Sequence, residues 1–282
     1  MVERIDTALN CMDQGRYLFS GDSYDTPADV SKSLLFRALL GSRWYFYWNN
    51  FLIFCRTGRC GKRGKLTAER QIYYSNKNLR LVERCGGKVH IRGLNNLRAL
   101  EGRPVVLIGN HMSLLETALF HSVMRGLVDF TFVIKQSLMK VPFFRNIMTS
   151  LGAIPIGREN PRDDLRAVLE EGSALLASGR SIVIFPQSTR SETFDPEKFN
   201  SIGIKLARRA GVPVVPFALK TDFLGNGKRF RDLGPVRPER EVWFEFGPAR
   251  EVEGNGQALQ QEIIAFISSR LDEWRRHDRK TV

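Results

Sequence analysis

Residues 105–120, VVLIGNHMSLLETALF, read as a strand that runs into Asn110 and His111, followed by a helix that starts around Ser113. A turn of this kind, at the carboxyl end of a strand, is where an open α/β sheet places its ligands. On one continuous helix, His111 and Glu116 would be separated by about 140° of rotation and would point apart. They can meet only if His111 sits on the turn ahead of the helix. A carboxylate on one imidazole nitrogen then fixes the tautomer and stabilises the imidazolium that forms when the other nitrogen takes a proton, which makes a general base for an alcohol. The same spacing also describes a capping turn with a surface histidine and a solvated glutamate, and these residues alone leave both readings open.

The alternation continues outward. Runs of strand length occur at 88–92 (KVHIR), 104–109 (PVVLIG), 130–135 (FTFVIK), 153–156 (AIPI), 181–185 (SIVIF), 212–219 (VPVVPFAL) and 242–247 (VWFEFG), separated by helical stretches. One helix is strongly signalled: Asn160 can cap it, Pro161 suits its first position, Asp163 and Asp164 fall in its first turn, and Gly179 follows its end. The expected fold class is α/β, a mixed and largely parallel sheet with helices on both faces over residues 86–282. A last helix, from about Gln257 to His277, closes that domain. His90, His121 and His277 have no acid at a useful spacing and are read as structural.

Two segments precede this domain. Residues 1–31 hold six acids against Arg4 and Arg16, a net of −4, and read as a mostly disordered acidic tail. Residues 32–85 read as a helical, interfacial appendage. Their most apolar part, 34–55, is interrupted by Arg37, Arg43, Asn49 and Asn50. It falls short of the roughly 20 apolar residues needed to span hydrocarbon. Its aromatics, among them Trp44, Trp48 and Phe51, suit a headgroup boundary. Arg56, Arg59, Lys62, Arg63 and Lys65 follow at once, each worth about 1 kcal/mol near an anionic leaflet. The alternative is a helix packed on the protein's own core with a solvated basic loop behind it.

The net charge of +13 over 282 residues concentrates polyanions, whether lipid or nucleic acid. No nucleic-acid module is present, and the aromatics cluster in one apolar segment instead of interleaving with cations, so no nucleic-acid partner is expected. The four cysteines form no C-x-x-C pair and no cluster with histidine, so neither a metal nor a disulfide framework is expected and a reducing compartment fits best. No cleaved signal peptide is read at the N-terminus. These readings place the protein at the cytoplasmic face of a membrane, peripheral or monotopic.

Four blocks carry a resemblance that covers about residues 85–250. NHMSLLE (110–116), KQSLMKVPFFRNIMTSLGAIPIGRE (135–159), IVIFPQSTRS (182–191) and GVPVVPFAL (211–219) resemble, in order, the motifs of the glycerolipid acyltransferase family typified by 1-acylglycerol-3-phosphate acyltransferase. The resemblance implies an O-acyltransferase that needs no cofactor. It would move a fatty acyl group from acyl-coenzyme A or acyl carrier protein to the free hydroxyl of a lysophospholipid, lysophosphatidate-like, in membrane lipid. By the same resemblance His111 is the base and Glu116 orients it. Asn110, Arg158, Gln187, Ser188, Thr189 and Arg190 bind substrate, Arg158 gripping the acceptor's phosphate in the planar, two-pronged way that suits arginine, and Arg190 with its loop holding phosphate or helping to stabilise the oxyanion. Phe143 and Phe144 could line the acyl channel or touch lipid, or belong to the core. Two positions depart from the usual pattern: Glu116 stands where the family has aspartate, and Gln187-Ser188 where it has glutamate-glycine. These departures keep other lipid hydroxyls open as acceptors, of the lipid A or ornithine-lipid type, as well as a lipid-binding protein without turnover.

Overall fold

Seven strands follow the seven runs: β2 (Val89–Arg92), β3 (Val106–Gly109), β4 (Phe130–Lys135), β5 (Ile154–Ile156), β6 (Ser181–Ile184), β7 (Val214–Lys220) and β8 (Val242–Phe246). A further short strand, β1 (Tyr24–Asp25), precedes them. The computed structural model describes residues 15–39, 41–157, 159–187, 189–227, 230 and 232–281. The strands form one eight-stranded sheet in the order β1-β2-β8-β7-β3-β6-β4-β5. The block β7-β3-β6-β4-β5 is parallel throughout, β8 runs antiparallel to β7 and parallel to β2, and β1 is antiparallel to β2.

The helices are α1 (Leu34–Ala38), α2 (Arg43–Lys62), α3 (Ala68–Arg84), α4 (Leu94–Arg98), α5 (Leu115–Met124), α6 (Pro142–Ser150), α7 (Pro161–Ala177), α8 (Ile202–Ala210) and α9 (Gln257–Thr281). Side chains alternate across a strand, and β3 shows the result. Leu107 joins the core built with α2, α3, α5 and α6, whereas Val106 and Ile108 join the core built with α7, α8 and α9. Both faces of the sheet are therefore covered, as the near-continuous apolar runs predict. α7 starts as its sequence signals, with Asn160 Oδ1 accepting the Arg162 N–H at 3.0 Å and Pro161 in the first turn.

Two expectations are corrected. The acidic tail was expected through residue 31, yet from Gly15 onward the chain is built into the fold; residues 1–14 lie outside the described residues. Phe19 is buried in the core, Tyr17 donates its hydroxyl to the Val123 carbonyl at 2.7 Å, and Tyr24 pairs with Ile91. The acids have partners here: Asp22 accepts the Asn95 N–H at 2.7 Å, and Asp25 pairs with Arg92 and His90. The second correction concerns the basic loop of the alternative reading: the run 56–65 is helix as far as Lys62. α2 continues through Arg56 and Arg59 to Lys62, placing cations in its last turns, where the helix dipole favours them.

Candidate active site

Strand β3 ends at Gly109, and the next residue fastens the crossing to its neighbour. Asn110 donates to the Leu219 carbonyl and accepts the Leu219 N–H, both at 2.8 Å. The side chain is buried and both ends of its amide are used on β7. The substrate contact expected of Asn110 thus gives way to holding the β3 and β7 ends together.

His111 to Leu114 form the turn, and α5 begins at Leu115. Glu116, in the first turn, bends back toward the preceding residues. Its Oε1 accepts the N–H groups of Met112 (3.0 Å) and Ser113 (2.7 Å) and the hydroxyl of Thr221, at the end of β7. These N–H groups belong to the turn ahead of α5, so the glutamate ties that turn to the first turn of the helix. Its Oε2 lies 3.0 Å from His111 Nδ1. The carboxylate is wholly buried, while the imidazole keeps 20% of its side-chain surface open. An acceptor on Nδ1 assigns the ring proton there and leaves the Nε2 lone pair as the basic site.

The imidazole is fixed on its other sides as well. Phe185, the residue after β6, stacks on it with centroids 4.2 Å apart. Gln187 Oε1 accepts the His111 backbone N–H at 2.8 Å, and the Ser191 N–H donates to the His111 carbonyl at 3.0 Å. Gln187, expected to read the acceptor headgroup, is buried and holds the His111 main chain instead. Arg190 is largely buried and pairs with Asp232 at 2.5 Å, and Thr189 beside it is exposed. Arg158 and Ser188, expected to bind substrate, lie outside the described residues.

The residues expected at lipid divide in two. Trp44, Trp48 and Phe51 are exposed on one side of α2, at the i, i+4, i+7 spacing of a single helix face. Phe143 and Phe144 are half-buried and pack on Phe54, with centroids 6.2 and 6.5 Å away. Sequence reading missed Ser113, Phe185 and Thr221. The signal available for Phe185 and Thr221 was their place at the end of one strand run and just past another, where neighbouring parallel strands deliver their ends to one crevice. Among the described residues, no group of three or more histidine, cysteine or acidic side chains could hold a metal ion. The geometry offers a buried carboxylate, an oriented imidazole with one exposed edge, and a rigid turn.

Residues 88–220 match the family model described as acyltransferase. The chain is 30% identical over 190 residues to a 1-acyl-sn-glycerol-3-phosphate acyltransferase of Pseudomonas aeruginosa, covering 67% of this chain and 68% of that protein. It is 36% identical over 141 residues to a 1-acyl-sn-glycerol-3-phosphate acyltransferase of Chlamydomonas reinhardtii, covering 50% of this chain and 40% of that one. The fold is similar to the crystal structure of the 1-acyl-sn-glycerophosphate acyltransferase PlsC of Thermotoga maritima, with a TM-score of 0.64 at 18% identity over 86% of this chain and 97% of that one.

Proposed function

The chain belongs to the glycerolipid acyltransferase family, and from that premise we propose that it moves a fatty acyl group from a thioester onto the free hydroxyl of lysophosphatidate, with His111 as general base. His111 Nε2 takes the hydroxyl proton as the oxygen bonds to the thioester carbonyl carbon, and Glu116 stabilises the imidazolium. The tetrahedral oxyanion then collapses, the carbon–sulfur bond breaks, and the departing thiolate takes the proton back from His111. Ester and free thiol leave, and the enzyme is unchanged. Direct transfer of this kind needs no nucleophilic side chain.

The observation that carries this reading is the 3.0 Å contact between His111 Nδ1 and the buried Glu116, made on a turn at the carboxyl end of β3. Gln187 bears on the choice of acceptor. Its amide oxygen accepts a main-chain N–H as a carboxylate oxygen would, so the departure from the family's pattern falls on the frame around His111. That favours the acceptor named for the relatives over other lipid hydroxyls. The donor is acyl-coenzyme A or acyl carrier protein, and Arg190 with Arg158 would meet the acceptor's phosphate. The enzyme would work from the cytoplasmic face, whose reducing conditions suit the free cysteines Cys55, Cys60 and Cys85. Among the described residues no helix is long and apolar enough to cross a membrane, and Trp44, Trp48 and Phe51 would make the peripheral contact.

The test is purified protein with each donor and a panel of lysolipids, read by mass spectrometry of the lipid products. Lysophosphatidate should be acylated fastest. His111→Ala should lower the rate by about 10³-fold or more, and Glu116→Gln by less, since it orients and does not transfer the proton. Thioester left intact with every acceptor would overturn the proposal.

A further inference from the structure

The two oxygens of Glu116 are treated differently by the fold. Among the described residues Oε2 faces His111 alone, whereas Oε1 receives Met112 N–H, Ser113 N–H and the Thr221 hydroxyl. The direction of the hydroxyl bonds follows from counting protons. Thr221 gives its single proton to the carboxylate, so the proton shared across the 2.9 Å between Ser113 Oγ and Thr221 Oγ1 comes from Ser113. Ser113 Oγ in turn accepts the Leu115 N–H at 3.1 Å. Ser113, Glu116 and Thr221 are all buried, and in a dry site each bond is stronger than in water. Thr221 is also held by its own backbone, whose N–H points at Met112 Sδ, 3.3 Å away.

Glutamate has one more torsion than aspartate, so a glutamate in this place needs one more restraint to keep its carboxylate still. On the acyl-transfer reading above, we infer that Thr221 is a positioning residue for this reaction. It saturates Glu116 Oε1, with Ser113 fixing its hydroxyl, so that Oε2 is presented to His111 in one orientation. Thr221 lies one residue beyond the stretch that matches the family model and two beyond the last sequence block, so neither assigns it.

The test is steady-state kinetics of Thr221→Val, Thr221→Ser and Ser113→Ala in the intact chain, with Thr221→Val also made in a Glu116→Gln background. Valine keeps the shape and removes the hydroxyl. It should lower kcat by about 10- to 100-fold with KM within about twofold, the loss typical of removing a bond that orients a reacting group. Serine should restore most of the rate, and Ser113→Ala should show a smaller loss in the same direction. In the Glu116→Gln background, Thr221→Val should cost less than about threefold, because the residue acts through that carboxylate. A full-rate Thr221→Val enzyme, an equal loss in both backgrounds, or no rescue by serine overturns the inference. If Thr221→Val does not fold, a folded Ser113→Ala enzyme at full rate overturns it instead. A fully active His111→Ala enzyme defeats the acyl-transfer reading itself; a dead His111→Ala beside an unimpaired Thr221→Val defeats only the role of Thr221.

Discussion

His111 and His121 stand at the two ends of one helix in opposite surroundings, and that contrast separates their roles. His111 keeps an exposed edge and a carboxylate, whereas His121 is buried and stacks on Phe130 with centroids 4.8 Å apart. Burial pushes the His121 pKa down to about 3, and the Arg125 charge adds to the effect. The folded form therefore keeps His121 neutral while the unfolded chain binds a proton near pH 6.5. Stability is unaffected above that pH and is lost as pH falls from about 6.5 toward 3, with a slope of up to about 1.4 kcal/mol per pH unit from this one site. Urea unfolding of His121→Phe between pH 6.5 and 5 should show a flatter dependence than the native chain, and parallel slopes would refute it. At this scale the sequence named the pair His111 and Glu116 but not what holds it. Thr221 is 105 residues from Glu116 and Gln187 is 76 from His111, so only the sheet brings them together. His90 fails for the same reason: read as lacking an acid, it meets Asp25 and Glu241 across strand and loop.

Elements were legible where their signals are local. The cap, proline and first-turn acids of α7 act within a few residues, and the strand runs declare themselves by composition. α2 shows the converse. Gly58 and Gly61 in RTGRCGKRGK give no local helix signal, because each costs a helix about 1 kcal/mol relative to alanine. Their reason lies on another element. A Cβ on Gly58 would stand 2.7 Å from Phe143 Cβ and 2.9 Å from its Cα, and one on Gly61 would stand 2.7 Å from the Asn146 carbonyl. The glycines thus let α2 and α6 cross closely, and the main chain of α6 cannot move aside by a change of rotamer. Helix propensity says that Gly58→Ala should stabilise the protein by about 1 kcal/mol; the crossing says it should destabilise by about 1 to 3 kcal/mol. Packing should win, and thermal or urea unfolding reads the sign directly. A more stable Gly58→Ala chain would mean that the two helices are not in close contact.

At the scale of the molecule, the sheet order decides what surrounds the turn at His111. β3 lies between β6 and β7, so the turn after it is flanked by the ends of both neighbours, which supply Phe185, Gln187 and Thr221. The same frame carries a group of exposed apolar side chains on α1 and α2. Leu34 and Leu39 of α1 and its following turn are 79% and 47% exposed, and Trp44 and Trp48 of α2 are 59% and 63% exposed. α2 is 20 residues long, about 30 Å, with its rings toward one end and Arg56, Arg59 and Lys62 toward the other. Three cations near an anionic leaflet contribute roughly 3 kcal/mol, and burying Trp44, Trp48 and Phe51 at about 1.5 to 3 kcal/mol each contributes at least as much, so part of the binding rests on the rings. Only the charged part is screened by salt. Cosedimentation with vesicles should therefore show strong binding to anionic lipid at low salt and a weaker residue that survives at about 1 M salt. A Trp44→Ser/Trp48→Ser double variant should lose that salt-resistant part while keeping its rate on short-chain, monodisperse acceptors. If the native chain leaves vesicles completely at high salt, the rings are not in lipid, and α1 and α2 face another partner.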